Sequence, residues 1–319
     1  MAARAGVSRQ LVGAVEAGRH LPRVDAALAL ADALGVAAEE LFNDERPTPA
    51  GVVGPAPPSG TPVRLGRVGD RLVCAPAPSA GEWWEPADAV LHPDGPELFP
   101  GARPGSVAVG CDPALGLAAA LGSSRGAPRL LALATSTASA IEALAAGRAH
   151  AAVAHGPEGR FPTPPVGMRL HRWHVARWQV GLAAPAGLAS GWAQEALAGR
   201  RRVVQREAGA GSQATFERCV EAADGRIPDG PLVAGHLEAA RRALTDGLAA
   251  VTIEPAARAF GLAFHPLEQH GAQLWVPDQW HLEPGVVALA DLLVSPALQR
   301  HLEAVGGYDL AECGDPVPA

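Results

Sequence analysis

The sequence has 319 residues, 48% of them apolar, which is enough for two or three domains with substantial hydrophobic cores. Its formal net charge of −7 argues against a protein that holds nucleic acid over its whole surface, although a small DNA-reading module remains compatible. There is neither an apolar run of roughly 18 residues nor a secretion signal, so we expect a cytoplasmic protein without a membrane partner.

Four cysteines, Cys74, Cys111, Cys219 and Cys313, lie far apart in the sequence and form no CxxC pair. This spacing is unlike that of a zinc site, and a disulfide framework is unusual in a chain of this size. We therefore predict free, mostly buried thiols, and we expect neither a bound metal nor a cofactor.

The first residues of the chain have the pattern of a short helical domain. Ser8 is a suitable N-cap for a helix over residues 9–17. Pro22 precedes a further helix, in which apolar residues recur at helical spacing over residues 27–34. Turn chemistry, a cap and an apolar period therefore agree on helices joined by short turns.

Residues 3–19 have the sequence ARAGVSRQLVGAVEAGR, and the stretch LADALGV follows at residues 30–36. Together they resemble the lambda-repressor-like (XRE) helix-turn-helix family. The resemblance implies an all-α DNA-binding domain over residues 1–46, whose recognition helix, residues 8–17, enters the major groove of a double-stranded DNA operator. The DNA-contacting residues that it implies are Ser8, Arg9, Gln10, Ala14 and Arg19.

Members of this family normally begin with a further helix. We therefore expect a domain truncated at its N-terminus, which reflects either a misplaced start or a weakened DNA-binding form. Residues 1–46 also contain five arginines against seven acidic residues, so their electrostatic attraction to DNA is poor. Useful affinity would then need a homodimer that binds two half-sites.

Residues 47–105 differ in composition from the segments on either side. Prolines, glycines and serines dominate residues 44–62, which predicts an extended and fairly stiff linker. Residues 71–75 have the character of one short strand. The nearby Trp83 and Trp84 need burial, and we expect them at a domain interface or a dimer contact.

From residue 106 onward, short apolar strands alternate with helices, which is typical of an α/β domain built from parallel βαβ units. We predict strands at 106–110, 130–134, 151–154, 178–183, 202–205 and 248–253, with helices between them and two more helices near 285–293 and 296–305. The predicted fold is therefore multidomain, an all-α helix-turn-helix followed by an α/β domain. Ligands of such sheets bind outside the carboxyl ends of the strands.

Four motifs of the α/β region follow one another at residues 110–117, 135–144, 150–155 and 206–212. Their order resembles that of the periplasmic-binding-protein-like domains, of the type 2, molybdate-binding-like kind, that occur behind a helix-turn-helix. The resemblance implies a two-lobed domain over residues 106–319, whose cleft closes around a small-molecule or oxyanion effector.

Small polar residues follow three of the predicted strands, at the points where helices begin. Unpaired backbone N–H groups at these helix starts, together with Arg206, form a natural site for an anion. Glycines before residue 212 allow a ligand to approach the backbone closely. The residues that we predict to bind the ligand are Cys111, Asp112, Ser136, Thr137, His155, Arg206, Gly211, Ser212, His236 and Glu254.

His171 and His174 form an HxxH pattern on a predicted strand. Side chains that lie three residues apart on a strand point to opposite faces, which disfavours a metal site made from this pair. We interpret both histidines, with Trp173 and Trp178, as core or hinge residues.

These features predict a one-component transcriptional regulator that senses a small ligand, with an oxyanion such as molybdate or tungstate as the favoured choice. Asp112 would repel a dianion if it pointed into the cleft, and it suits a ligand with an amine or hydroxyl groups better. One alternative is an enzyme on the same fold, in which Cys111, Asp112 and His155 act as nucleophile, orienter and base. A related alternative is a ligand-binding protein with a non-functional DNA-binding remnant. Another is a protein-interaction module. We expect no catalytic residues.

Overall fold

A computed structural model describes residues 2–16, 20, 22–35, 38, 49–53, 56–77, 79–80, 83–84 and 86–318 of the chain. The chain divides into two compact units, Met1–Thr48 and Pro49–Ala319. In the described part of the chain, no helix combines the length and the apolar character needed to span a lipid bilayer. The predictions for Arg19 and for the side chains of Trp83 and Trp84 lie outside the described residues.

The smaller unit contains the helices α1 (Arg9–Glu16) and α2 (Val24–Leu34). Ser8 Oγ accepts a hydrogen bond of 3.0 Å from the backbone N–H of Leu11, which satisfies a donor in the first turn of α1. α2 ends at Gly35, whose φ of 74° is a left-handed conformation that glycine adopts without strain. Both helix ends therefore follow from local residue chemistry.

Among the described residues of the smaller unit, the apolar core is small. Leu30 and Ala33 of α2 are buried against Ala5, and Val7 and Val12 pack around them. Burial of a large apolar side chain contributes about 1.5–3 kcal/mol, so these few residues stabilise the unit only modestly.

Residues 49–98 form strands of a small sheet. The strands are β1 (Pro49–Val52), β2 (Pro62–Val68), β3 (Arg71–Pro76), β6 (Ala89–His92) and β7 (Gly95–Leu98), while β4 (Ser79–Ala80) and β5 (Trp83–Trp84) pair separately. The five strands are ordered β1-β3-β2-β6-β7. The sequence predicts only a linker and the strand at β3, because proline is a weak strand former. Pro49 and Pro62 stand at the first residue of their strands, where proline is tolerated.

The remaining elements of the larger unit belong to an α/β domain. Its strands are β8 (Ser106–Gly110), β9 (Leu130–Ala134), β10 (Ala151–Pro157), β11 (Leu170–Ala184), β12 (Val203–Arg206), β13 (Leu232–Val233), β14 (Ala249–Ile253) and β15 (Ala263–Pro277). Its helices are α3 (Ala114–Ser124), α4 (Thr137–Ala145), α5 (Trp192–Leu197), α6 (Gly211–Ala222), α7 (His236–Asp246), α8 (Glu254–Ala259), α9 (Pro284–Leu293) and α10 (Pro296–Val305), with a 3-10 helix at Asp278–Trp280. The strands form one sheet in the order β13-β12-β14-β11-β15-β10-β8-β9.

Two long antiparallel strands, β11 and β15, run through the middle of this sheet. On one side, β10 pairs antiparallel with β15 and carries β8 and β9 in parallel. On the other side, β14 pairs antiparallel with β11 and carries β12 and β13 in parallel. Two lobes therefore share the central pair: lobe 1 contains β8 to β10 with α3 and α4, and lobe 2 contains β12 to β14 with α5, α6 and α7.

The parallel pairing predicted within each lobe is confirmed, but the prediction is wrong for the centre of the sheet, where the strands are antiparallel. The sequence predicts residues 178–183 of β11 and a separate short strand around His171 and His174, but none of β15. Each of these strands is continuously buried at one end and partly exposed at the other. Register shifts near His174 and Val180 interrupt the alternation further. Neither strand therefore has a single period that a sequence pattern reports.

The strands that lead to the lobe boundary are the most completely buried ones. Every residue of β8 and of β14 is buried, as expected for strands covered on both faces. Trp178 in β11 and Trp275 in β15 are also fully buried. The helix starts that follow these strands are thus held by rigid surroundings.

Candidate functional site

Four helices begin close together at the boundary between the lobes: α3 and α4 from lobe 1, and α6 and α7 from lobe 2. Sγ of Cys111, just before α3, lies 4.0 Å from Oγ1 of Thr137 in α4, and Thr137 also accepts a bond of 3.4 Å from the backbone N–H of His155. Across the boundary, one side-chain ligand atom each of Cys111, His155 and His236 lie within 4.8 Å of one another. The N–H groups at these four helix starts contribute partial positive charge to the boundary.

The lobes touch where α6 begins. Gly209 has a φ of +85°, and a Cβ at this position would lie 3.3 Å from Cβ of Ala138 in lobe 1. A Cβ at Gly211 would lie 3.0 Å from Cε1 of His155. The two glycines therefore allow an approach of the lobes that larger residues would obstruct.

Arg206, at the end of β12, is a buried cation with defined partners. Its side chain is 1% exposed, and its Nε and Nη2 donate to the two carboxylate oxygens of Glu207 at 3.0 Å. Its Nη1 donates to Nδ1 of His236 at 2.7 Å. Because a guanidinium group can only donate, Nδ1 of His236 carries a lone pair, and the neutral ring has its proton on Nε2. Burial and the charge of Arg206 lower the pKa of His236 well below its usual value, which keeps the ring neutral.

Two polar atoms of lobe 2 are buried without a hydrogen-bond partner among the described residues: Oγ of Ser212 and Nε2 of His236. Ser212 lies in the first turn of α6, and His236 is the first residue of α7. Leaving a polar group buried and unpaired costs about 1–3 kcal/mol. Both atoms lie at the lobe boundary, where a group that accepts hydrogen bonds would satisfy them.

A row of hydrogen-bonding side chains orients His155. Nε2 of His270 donates to Oε2 of Glu268 at 3.1 Å, because an ionised carboxylate can only accept. Nδ1 of His270 then carries a lone pair, and Nδ1 of His155, 3.0 Å away, donates to it. Burial, His270 and Arg206 lower the pKa of His155, so that ring is also neutral. Its Nε2 is therefore an acceptor.

The carboxylate of Asp112 accepts hydrogen bonds from three donors of the protein itself. Its Oδ1 accepts bonds from the backbone N–H of Ala114 at 2.9 Å and from the hydroxyl of Tyr308 at 2.8 Å. Its Oδ2 accepts a bond of 2.9 Å from Nε1 of Trp178. Burial raises the pKa of Asp112, while these three donors act to lower it. Asp112 thus caps α3 and holds Trp178 and Tyr308 in place.

The spacing of Cys111, His155 and His236 is compatible with a metal ion, which would have to displace protons from the thiol and from Nε2 of His236. Burial and the neighbouring Asp112 raise the pKa of Cys111 to about 12, so the thiol keeps its proton. The proton on Nε2 of His236 occupies the ring nitrogen that Arg206 leaves open. A protonated thiol is also a poor nucleophile, which disfavours the interpretation as an enzyme.

A cavity of about 320 Å³ opens beside this cluster. The start of α3, the end of β9 and the start of α7 line it, and Cys111, Asp112 and His236 are among its side chains. Its volume is near the lower end of the roughly 300–1,000 Å³ that is usual for small-molecule sites. The cavity therefore suits a small solute rather than a large cofactor.

Nine of the ten predicted ligand-binding residues lie at this boundary. They are Cys111, Asp112, Ser136, Thr137, His155, Arg206, Gly211, Ser212 and His236. Glu254 lies elsewhere: α8 begins directly after β14, and the Glu254 carboxylate pairs with Arg258 one turn further along that helix. Ser136 acts as the N-cap of α4 by accepting a bond of 3.2 Å from the N–H of Ser139.

The described residues predicted to contact DNA lie on or just before α1. Ser8, Arg9 and Gln10 are exposed at its start, and Ala14, further along the same helix, is half-buried. Exposure of the polar residues is compatible with contacts to base edges and phosphates.

Sequence reasoning missed three residues that organise the site: Trp178, His270 and Tyr308. Trp178 was expected as a core or hinge residue, and the centre of its ring lies 4.8 Å from that of His155. His270 belongs to β15, which the sequence pattern does not reveal. Tyr308 is the only tyrosine of the chain and follows two glycines, which is a signal that a search for unusual residues could have found.

Comparison with known families gives one match within each of the two compact units. Residues 119–294, more than half of the chain, match the family model of a PBP superfamily domain. The chain belongs to the PBP superfamily. Residues 1–42 match the model of a helix-turn-helix domain. The predicted architecture, a helix-turn-helix followed by an α/β PBP-like domain, is thereby confirmed. No curated protein sequence matches the chain.

Solved structures with a similar course of the chain include binding proteins and a regulator. A proposed phosphate ABC transporter substrate-binding protein from Clostridium perfringens, with bound phosphate, is 12% identical, with a TM-score of 0.48, 64% of this chain and 98% of that chain covered. The tungstate ABC transporter structure from Geobacter sulfurreducens is 12% identical, with a TM-score of 0.44 and coverages of 62% and 97%. The CcmR regulatory domain from Synechocystis PCC6803 in complex with 2-PG is 10% identical, with a TM-score of 0.42 and coverages of 63% and 94%.

Proposed function

We propose that this protein is a one-component transcriptional regulator, with a lambda-repressor-like (XRE) helix-turn-helix, that senses a small anion in the cleft of its PBP superfamily domain. Residues 1–46 read a double-stranded DNA operator in the cytoplasm, and residues 106–319 hold the effector, with residues 47–105 between them. A homodimer on two half-sites compensates for the acidic balance of residues 1–46. Ligand binding changes the populations of the open and closed lobes and thereby DNA binding.

The buried donors at the lobe boundary carry this proposal. Nε2–H of His236 and the hydroxyl of Ser212 have no partner in the described chain, and neither α6 nor α7 has a side-chain cap on its first N–H groups. Arg206 adds a buried positive charge beside His236. Donors that converge at helix N-termini beside a cation suit a small anion.

An oxyanion such as molybdate or tungstate is the effector that we favour. A tetrahedral oxyanion offers acceptors in several directions, and helix starts stabilise its charge. The objection that Asp112 would repel it is weakened, because three donors of the protein already bind that carboxylate. The cavity of about 320 Å³ is ample for an ion of this size.

Titration calorimetry of the full chain with molybdate, tungstate, sulfate and phosphate tests the ligand class. We expect heat from at least one of them, and at least tenfold weaker binding by H236N, which keeps an acceptor for Arg206 but lacks the Nε2–H donor. H236Q, whose amide nitrogen can reach the position of Nε2, should recover part of the affinity. H301N, at an exposed histidine of α10, is the matched control. Absence of heat from all four anions would exclude the oxyanion.

Selection of bound duplexes from a random pool tests the DNA-binding role separately. We expect one enriched motif, and at least a tenfold loss of affinity for it in R9A or Q10A, because a good side-chain contact to a base is worth about 1–3 kcal/mol. R300A, at an exposed arginine of the PBP-like domain, should bind like the unmodified protein. If no motif is enriched, the alternative of a ligand-binding protein with a non-functional DNA-binding remnant gains support.

A further inference from the structure

The HxxH pattern of β11 belongs in part to a side-chain cluster that the anion site does not use. His171 lies beside Asp278, the first residue of the 3-10 helix after β15, and His281, the residue that follows that helix. One ring nitrogen of each histidine and one carboxylate oxygen of Asp278 lie within 4.8 Å of one another. The two rings stack with centroids 4.7 Å apart. The fold thus joins three side chains that are far apart in the sequence.

The hydrogen bonds of these histidines indicate which ring nitrogens an ion can use. Nε2–H of His171 donates to Oδ1 of Asp278 at 2.8 Å, because an ionised carboxylate can only accept. Nδ1–H of His281 donates to the backbone carbonyl of Asp278, which is also only an acceptor. An ion beside Oδ1 of Asp278 would replace the proton between that oxygen and Nε2 of His171, and would bind both atoms directly. At His281 the carbonyl behind the ring leaves Nε2 for the ion, an orientation typical of metal-binding histidines.

The charge and exposure of the cluster also suit a cation. Asp278 supplies the carboxylate of the cluster, whose negative charge offsets that of a bound cation. The side chains of His171 and Asp278 are 40% and 61% exposed, so an ion can enter from solvent. Arg169 lies near enough to influence the same carboxylate and limits the affinity. His174, on the other face of β11, pairs instead with Glu312, 3.6 Å away.

We propose that His171, Asp278 and His281 form a surface site for a divalent transition-metal ion such as Zn²⁺. Two imidazoles and a carboxylate, with water in the remaining position, are a ligand set that zinc prefers. In the sheet, Leu170 pairs with Pro277, so the bound ion cross-links the start of β11 to the turn that follows β15. The site is separate from the lobe boundary and its occupancy does not depend on the anion.

Titration calorimetry with zinc chloride on the full chain, in a buffer without chelators, tests the site. We expect saturable binding, and at least tenfold weaker binding in each of H171Q and H281Q. H174Q removes the other histidine of the same HxxH pattern and should bind zinc like the unmodified protein. Zinc should also raise the thermal unfolding midpoint of the unmodified protein and of H174Q, but not that of H171Q. Circular dichroism of the free variants checks that each is folded.

Absence of zinc binding by the unmodified protein would overturn the proposal, as would unchanged zinc affinity in both H171Q and H281Q. C111S distinguishes the buried cluster from the surface one. Loss of zinc binding in C111S alone would assign the ion to Cys111, His155 and His236 and contradict the surface site. Zinc binding that is retained in C111S and lost in H171Q supports the surface site.

Discussion

Ser212 is the residue at which stability and ligand binding are expected to diverge. Its hydroxyl is fully buried and lacks a partner in the described chain, so it imposes a desolvation cost of about 1–3 kcal/mol on the ligand-free protein. We expect S212A to have an equal or higher free energy of unfolding. The same change should weaken anion binding about fivefold, which corresponds to one net hydrogen bond of about 1 kcal/mol. Chemical denaturation and calorimetry measure the two effects.

Ser136 provides the matched control for this change. Its Oγ accepts a bond from the N–H of Ser139 and caps α4, so S136A should lower the free energy of unfolding by about 1 kcal/mol. If S212A proves as destabilising as S136A, the Ser212 hydroxyl has a partner within the protein, and its assignment to the ligand fails.

Asp112 is expected to contribute to stability rather than to ligand binding, because its three hydrogen bonds are all made within the protein. Asparagine at this position has only one acceptor oxygen, so its amide group would place a donor against either the indole N–H of Trp178 or the backbone N–H of Ala114. We expect D112N to lose about 1–3 kcal/mol of unfolding free energy in urea denaturation. Y308F, which removes one donor and introduces no clash, should lose less. Stability of D112N equal to that of the unmodified protein would contradict an ionised, three-fold hydrogen-bonded carboxylate.

Single residues also show how far sequence reasoning reaches. Ser136 and Arg206 could be predicted because helix caps and strand ends have local signatures in the sequence. His270 could not, because its position beside His155 depends on the register of β10 against β15, which are more than a hundred residues apart. A hydrogen-bonded row that spans such a separation has no local pattern.

Among the elements, α6 sets how closely the two lobes approach each other. Alanine at Gly211 would bring its Cβ to 3.0 Å from Cε1 of His155, and no left-handed backbone is involved, so the effect is steric. We expect G211A to destabilise the closed form by about 1–3 kcal/mol, as overpacking does in a well-packed interior, and to weaken anion binding correspondingly. Small-angle scattering and calorimetry of the full chain measure these changes.

Gly116 in α3 is the control for this substitution. It is exposed within a helix, and a Cβ there would meet nothing within 4 Å. G116A should therefore stabilise the protein by about 0.5–1 kcal/mol through the higher helix propensity of alanine. A G211A variant as stable as G116A would show that α6 does not limit lobe closure.

How well a strand can be predicted from its sequence depends on whether its burial is uniform along its length. β8 and β9 could be placed at their observed ends because each is a short apolar run between turn residues. β11 and β15 each pass from one lobe to the other, so one end is buried on both faces and the other end is not. The strands that define the two-lobed fold are therefore the ones with the weakest sequence pattern.

For the whole molecule, the neutral histidines at the lobe boundary couple folding to pH. Burial lowers the pKa of His155 and of His236 well below about 6.5, the value expected in the unfolded chain. Below that pH the unfolded chain binds protons that the folded protein does not, so acidification favours unfolding. Burial raises the pKa of Asp112, which acts in the opposite direction as the pH falls towards its unfolded value. The pH dependence of the free energy of unfolding of the unmodified protein therefore cannot be assigned to the histidines by itself.

A variant of one histidine isolates its share of this pH dependence. H236N binds no proton at this position in either state, whereas the contribution of Asp112 is retained. Between about pH 6.5 and its folded pKa, each buried histidine lowers the free energy of unfolding by up to about 1.4 kcal/mol per pH unit. Urea denaturation between about pH 7.5 and about pH 5.5 should therefore give H236N a shallower loss than the unmodified protein, by up to that amount per unit. H301N, at an exposed position, should keep the full slope. Equal slopes for H236N and the unmodified protein would mean that His236 titrates alike in both states, which its burial beside Arg206 forbids.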